Sequence, residues 1–344
     1  MSKDAPMNHD SFRFVRGVAR LLCALTLFSA MAAAGCGDGS DTSSGSGPTG
    51  GGSDSGFRDI YPLDAKFPEG GTYDSASNAF YVGSLADGSV HRINAATGAE
   101  EVFFTESAPG TWWTLGMDVD VERRRLWVCA MDDRAPEPRA GYIWVFDLES
   151  GERIANHALA DAAPDATCTD VALTKAGVGY VGDREMGSIY KVDVSGGASP
   201  FASSPDLQAN FVGQNAIVVL PDESALLSVL YLPSSLARVD LADGSVTKVA
   251  IQGPFEDTGA LAGADGMTFM DGSAYVAFTS KLVKVTPAAA DWSAATSTEA
   301  ALPSGMTDVL RTPEGLYVLN GQSVSFAFGS ETYPFQLARF TGAL

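Results

Sequence analysis

The chain has 344 residues, 42 of them acidic and 22 basic, and a net charge of −20. An excess of that sign leaves no basic patch for phosphate groups, which excludes nucleic acid and bare anionic membrane surface as partners. No apolar run beyond residue 36 approaches the ~20 residues that span a bilayer, and acidity suits a protein outside the cytoplasm with a site for cations.

Residues 1–35 read as an export signal. Arg13, Arg16 and Arg20 precede the apolar run Leu21–Phe28, and small residues follow. Ala33-Ala34-Gly35-Cys36 resembles a bacterial lipobox, which implies that Cys36 is acylated and becomes the mature N-terminus. Residues 36–56 are then a flexible tether of little but Gly, Ser, Asp and Thr, spanning on the order of 25 Å root-mean-square. A tether of that length makes sense with one end held at a membrane by lipid rather than by polypeptide. The expected location is the bacterial cell envelope, facing the periplasm or the cell exterior.

From residue 57 to 344 one pattern recurs six times: a lead residue, a short apolar strand, a tight turn and a returning strand. Glu69 precedes Phe80-Tyr81-Val82-Gly83, Leu115 precedes Leu126-Trp127-Val128-Cys129, and Asp170 precedes Gly179-Tyr180-Val181-Gly182. Asn215 precedes Leu226-Leu227-Ser228-Val229, Asp265 precedes Ala274-Tyr275-Val276-Ala277, and Asp308 precedes Leu316-Tyr317-Val318-Leu319. The lead residues are spaced 46, 55, 45, 50 and 43 apart, the period of a propeller blade rather than of a helical solenoid. Third strands follow in period two, as in Tyr142–Asp147 and Ser188–Asp193, and fourth strands are clearest at Glu101–Phe104 and Val246–Val249. Phe57–Tyr61 has no unit of its own and is expected to pair beside Phe335–Phe340, which closes the ring and removes an exposed edge. The expectation is a monomeric all-β protein, a six-bladed β-propeller of four-stranded antiparallel blades closed by its N-terminal strand.

Cys23 leaves with the signal, and Cys36 would carry lipid unless the signal ends in an ordinary cleavage site. Cys129 ends the second strand of blade two and Cys168 begins the first strand of blade three, on one face of adjacent blades. They form either a disulfide or two buried thiols.

In a propeller the lead positions converge on the central channel. Five of the six here offer oxygen ligands and four are charged. Crowded carboxylates raise one another's pKa unless a cation sits among them, and oxygen-only ligands favour Ca2+ or Mg2+ over Zn2+. Alternatively, each acid caps its own loop or bonds a neighbouring blade's backbone. His91 lies on a third strand and His157 on an outer one, so Ser-His-Asp catalysis is not expected. Trp112, Trp113, Met131, Phe211, Tyr231, Phe255 and Asp308, with the Pro-rich excursion Asp132–Ala140, lie around the same face. They either wall a substrate pocket or pack the blades.

At the lead residues the chain resembles the senescence-marker-protein, gluconolactonase and luciferin-regenerating-enzyme family of six-bladed propellers. That family's metal triad is a Glu on the first blade, an Asn on the fourth and an Asp-Gly pair on the fifth, where Glu69, Asn215 and Asp265-Gly266 fall. The closest local match is Ala264-Asp265-Gly266-Met267 followed by Ala274-Tyr275-Val276-Ala277, and the resemblance spans about 57–344. The chain departs from the family at Asp170, where members carry Asn, at Cys168, where sugar-lactone members carry Arg, and at Ala216, where Gly is usual. The resemblance implies metal-assisted hydrolysis of a lactone or ester. Glu69, Asn215, Asp265 and Asp170 would surround a Ca2+ or Mg2+, and Asp265 or Asp170 would serve as the base. The rival reading is a non-catalytic propeller lipoprotein that binds a protein or glycan, with a structural cation or none.

Overall fold

Short apolar strands joined by tight turns have one economical way to bury both faces: packing against copies of themselves. The structure, a computed structural model, describes residues 56–344 apart from 108–110, 135–139, 209–211, 257–261, 328 and 331–333. The export signal, Cys36, the tether to residue 55, Phe211 and the middle of the Pro-rich excursion lie outside the described residues.

The strand β1 (Ile60–Pro62) comes first in the chain and last in the ring. Blade one comprises β2 (Gly71–Asp74), β3 (Ala79–Gly83), β4 (Val90–Asn94) and β5 (Glu100–Phe104). Blade two comprises β6 (Trp112–Asp120), β7 (Arg125–Asp132), β8 (Gly141–Asp147) and β9 (Arg153–Ala158). Blade three comprises β10 (Asp170–Leu173), β11 (Gly179–Gly182), β12 (Ser188–Asp193) and β13 (Gly197–Ser203). Blade four comprises β14 (Val212–Val219), β15 (Ala225–Leu232), β16 (Ser235–Asp240) and β17 (Val246–Lys248). After β18 (Ala250–Gln252), blade five comprises β19 (Ala264–Met270), β20 (Ser273–Phe278), β21 (Lys281–Pro287) and β22 (Ala294–Ala301). Blade six comprises β23 (Met306–Thr312), β24 (Gly315–Asn320), β25 (Gln336–Arg339) and the returning β1. The protein is a six-bladed β-propeller.

Closure follows the sequence expectation. Ile60, Tyr61 and Pro62 pair antiparallel with Ala338, Leu337 and Gln336. Pro62 is tolerated because β1 is the outer edge of its sheet, where a missing N–H costs no ladder bond. Aromatic packing seals the joint between blades six and one. Phe80 lies 5.2 Å from Tyr61 and 5.3 Å from Tyr317, and both tyrosine hydroxyls donate to carbonyls, Ala95 O at 2.7 Å and Arg58 O at 2.9 Å. Such ring pairs contribute ~0.5–1.5 kcal/mol each beyond their area.

Second strands are buried on both faces, which is why Leu226-Leu227-Ser228-Val229 reads as a run rather than an alternation. Hairpins between third and fourth strands reuse one device. Asn94, Asp147, Asp193 and Asp240 each accept from a backbone N–H two residues on, the Asx turn that makes these residue types good punctuation. One strand carries no signal in the repeat pattern: β18 adds to blade five beside β22, in parallel. Blades two and three are also joined covalently. The sulfurs of Cys129 and Cys168 are bonded, with Cα atoms 5.7 Å apart.

Candidate functional site at the mouth of the channel

Strand pairing decides which residues stand level around the channel. The third residue of each second-strand motif is Val82, Val128, Val181, Ser228, Val276 or Val318. Their partners are Gly71, Met117, Val171, Ile217, Met267 and Val309. Two residues before these partners stand Glu69, Leu115, Thr169, Asn215, Asp265 and Thr307, an upper tier at the end where the inner strands begin. One residue before them stand Gly70, Gly116, Asp170, Ala216, Gly266 and Asp308, a lower tier. The repeat spacing puts Asp170 and Asp308 level with Glu69, Asn215 and Asp265; register corrects both by one residue. The slip matters because neighbouring side chains on a strand face opposite ways.

The two lower-tier acids serve the backbone. Innermost strands have no neighbour on the channel side, so their N–H groups need acceptors. Asp170 accepts from Val171 N at 2.8 Å and, across the blade boundary, from Ile217 N at 3.0 Å. Asp308 accepts from Val309 N at 2.7 Å and from Gly71 N at 2.9 Å. Further along the channel Asp118 repeats the arrangement with Val119 N at 2.8 Å and Leu173 N at 3.0 Å. Burial pushes the Asp118 carboxyl up to about 6 and that of Asp308 up to about 8, against the pull of the backbone donors. Asp170 is raised well above the carboxylate range for the same reason, with the charge of Asp308 adding to it.

The upper tier is built differently. Asn215 Nδ2 donates to Asp265 Oδ1. Thr169 Oγ1 lies 3.1 Å from Asn215 O and 3.2 Å from Asn215 Oδ1, and Thr307 Oγ1 donates to Pro68 O at 2.9 Å. Asp265 is 3% exposed, Asn215 9%, and Glu69 half-buried. Burial raises Asp265 well above its ordinary value, and repulsion from Glu69 and Asp308 raises it further. Glu69 is raised to about 7, again by burial. One cation opposes both shifts, Arg184, delivered by the connection between β11 and β12. Tyr231, nearly buried, feels Asp265 and Arg184 as well.

Two carboxylates and one amide are a donor set for a hard divalent cation. Among the described residues no three His, Cys, Asp and Glu side chains gather, so the set depends on Asn215 as its third member. Its Oδ1 would have to turn toward the ion, opposite to the orientation that bonds Asp265. Thr169 permits that rotation: its hydroxyl can give its proton to Asn215 O and accept from Nδ2. The residues therefore fit a cation, without Asp170, whose two oxygens are already committed to backbone donors.

The aromatic residues divide. Trp113 packs against Phe326, which also meets Phe67, two residues before Glu69. With Tyr231 these lie near the upper tier. Trp112 packs edge-on against Tyr142 and tilted against Trp144 of its own blade, Met131 is buried in the core, and Phe255 packs on Phe278. His91 is buried beside Glu100, its Nδ1 2.7 Å from Oε1, and His157 lies on β9; neither reaches the channel. A cavity of about 650 Å³ opens at the other end of the channel, lined by Met117, Asp118, Ile217, Phe269, Asp308 and Arg311 among others. It touches none of Glu69, Asn215 and Asp265, so size and chemistry point to opposite ends; the convergence of charged groups favours the upper tier. Arg184 and Thr169 had no sequence signal tying them to the site, because one comes from a loop and the other is placed by strand register.

No protein-family model matches the chain, and no curated protein matches it. Solved structures do. The major allergen Mala s 1 of Malassezia sympodialis is 18% identical with a TM-score of 0.67, covering 82% of this chain and 96% of its own. Virginiamycin B lyase from Staphylococcus aureus is 13% identical with a TM-score of 0.51, covering 81% and 96%. A variant of that lyase lacking one histidine, described as catalytically inactive and crystallised with quinupristin, is 14% identical with a TM-score of 0.54, covering 75% and 80%. At these identities the likeness is one of fold.

Proposed function

We propose that the protein is a divalent-cation-dependent hydrolase of lactone or ester type, with Glu69, Asn215 and Asp265 holding a Ca2+ or Mg2+ at the channel mouth. The observation that carries this reading is the upper tier itself. Three residues from blades one, four and five stand at equivalent positions, two of them hydrogen-bonded to each other and the two acids repelling each other in a buried site. The resemblance to the senescence-marker-protein and gluconolactonase family, which puts its triad on the same blades, supports it. The lipobox at Cys36 and the tether after it support attachment to the cell envelope through lipid.

Bound there, the cation would polarise the substrate carbonyl and lower the pKa of a water. The chain's own contribution is geometric and protonic. Asn215 and Glu69 would hold the ion together with Asp265, and Thr169 fixes the Asn215 amide. Asp265 takes a proton from the water that attacks the carbonyl carbon and returns it to the departing alkoxide oxygen as the C–O bond breaks. Asp170, the other base that the sequence offers, is occupied by two backbone donors. Elimination by a histidine base, suggested by the lyase neighbours, lacks a histidine among the described channel residues. The rival reading, a non-catalytic binding propeller, draws support from Asp118, Asp170 and Asp308, whose bonds are all structural.

Calcium and magnesium titration calorimetry, paired with a lactone and 4-nitrophenyl ester panel with and without EDTA, tests the proposal. Glu69→Gln and Asp265→Asn should each weaken cation binding by roughly two orders of magnitude, as loss of a charged ligand does, and abolish hydrolysis. Cation binding without hydrolysis would favour the binding-module reading; hydrolysis indifferent to both substitutions would end the mechanism.

A further inference from the structure

The loop that delivers Arg184 is anchored more heavily than a surface connection needs. Asp183 is fully buried and accepts five hydrogen bonds: from Thr167 Oγ1 at 2.6 Å, Thr167 N at 3.2 Å, Glu185 N at 2.9 Å, Met186 N at 3.1 Å and the Tyr190 hydroxyl at 2.9 Å. Its carbonyl accepts from Gln214 Nε2 at 3.2 Å, and the Arg184 carbonyl accepts from Gly213 N at 2.8 Å. A Cβ on Gly213 would stand 2.6 Å from Arg184 O, so the approach is open only to glycine. The loop is thus docked on the two residues that precede Asn215, and Arg184 is half-buried beside the upper tier.

We infer that Arg184 is a specificity residue, selecting substrates that carry a carboxylate within a few atoms of the scissile ester or lactone bond. The inference rests on the proposed hydrolase reading and deepens it. The loop sets Arg184 beside the strand that carries Asn215, and without a cation its charge acts on both Glu69 and Asp265. A divalent ion held by both carboxylates neutralises them and leaves the guanidinium as a half-buried charge without a counterion, an unfavourable state that an anionic ligand relieves. Its planar fork suits a carboxylate, bidentate, better than a carbonyl or hydroxyl. A chain of net charge −20 repels an anionic substrate, and Arg184 supplies local positive charge against that field. The sugar-lactone arginine that Cys168 replaces is not the source of this charge; a loop on the same blade supplies it from elsewhere.

The test is binding, separate from turnover. Succinamate and butyramide share a chain and an unreactive amide but differ in one carboxylate. Calorimetry on the full, calcium-loaded protein should find succinamate bound at least about 10-fold tighter, the range expected for a hydrogen-bonded charge pair. In Arg184→Gln the ratio of the two affinities should fall to within about twofold, with the thermal melt unchanged. Equal affinities in the wild type, no binding of either amide, or a ratio that survives in Arg184→Gln would each overturn the inference. Calcium affinity is titrated in the same preparations. Failure to bind calcium takes down both readings, whereas calcium binding without a carboxylate preference removes this one alone.

Discussion

Gly266→Ala isolates the division of labour between the tiers. A Cβ at position 266 would fall inside the Asp308 carboxylate and 2.5 Å from Asp308 Cα. The neighbour is backbone as well as side chain, so no simple rotation relieves it. Either blade five shifts, an overpacking cost of about 1–3 kcal/mol, or Asp308 gives up its bonds to Gly71 N and Val309 N, at about 1–2 kcal/mol each. Both routes lead to roughly 3 kcal/mol, which for a domain of this size lowers the melting temperature by about 6–12 °C. Gly196→Ala is the control: its nearest neighbour would be Asp193 Cβ at 3.4 Å, an ordinary contact, and stability should stay within ~0.5 kcal/mol. Urea denaturation of wild type, both single variants and Gly266→Ala/Asp308→Ala measures the coupling. If the carboxylate is what the new methyl strikes, the double variant is destabilised by less than the sum of the singles. Strict additivity, or a Gly266→Ala protein as stable as the control, would refute the packing described here.

Stability should also depend on pH in opposite directions at two sites. Asp118, raised to about 6 by burial, holds its proton more tightly folded than unfolded, so stability falls as pH climbs from about 4 to 6; Asp118→Asn should flatten that stretch of a melting-temperature profile. Asp74 is lowered despite burial, because Arg124 grips both its oxygens at 2.8 Å, so its contribution disappears on acidification and Asp74→Asn should flatten the acid limb instead. Cys129→Ala/Cys168→Ala opens a link across a sequence separation of 39 and should cost about 2–4 kcal/mol in urea denaturation, with reduced wild type losing a similar amount.

The architecture was legible because each blade repeats a fully buried second strand, and a buried strand must be written in apolar letters. Phe80-Tyr81-Val82 and Leu316-Tyr317-Val318 stand out as apolar runs in the amino-acid sequence itself. Closure was legible too, since Phe57–Tyr61 had no unit of its own. The level of the acids was not. Four inner strands carry an irregularity just where the tiers stand, between Thr114 and Met117, Gln214 and Ala216, Ala264 and Met267, and Met306 and Asp308. A bulge inserts a residue into one strand of the pair, so counting back from the second strand fails at the position of interest. Asp170 and Asp308 share a letter with Asp265, and the repeat spacing followed the letter. Arg184 was invisible for another reason: it sits on a loop within blade three that docks on the inner strand of blade four.

Buried acids need a physical justification, and the channel offers two kinds. Asp118, Asp170 and Asp308 each bracket an inner-strand N–H of their own blade and one of the next, so the ring is held partly by its acids. Glu69 and Asp265 have no such duty in the upper tier. Asp265 receives one amide bond, and the positive charge that acts on it is a guanidinium carried by a separate loop. A site that needed only to be stable could have placed Leu or Thr there, as blades two, three and six do with Leu115, Thr169 and Thr307. Where three of six equivalent positions are apolar or hydroxyl and the other three gather two acids and an amide, the acids are kept for something other than the ring. That asymmetry, not the total number of carboxylates in the channel, is the reason to look for a ligand at the mouth.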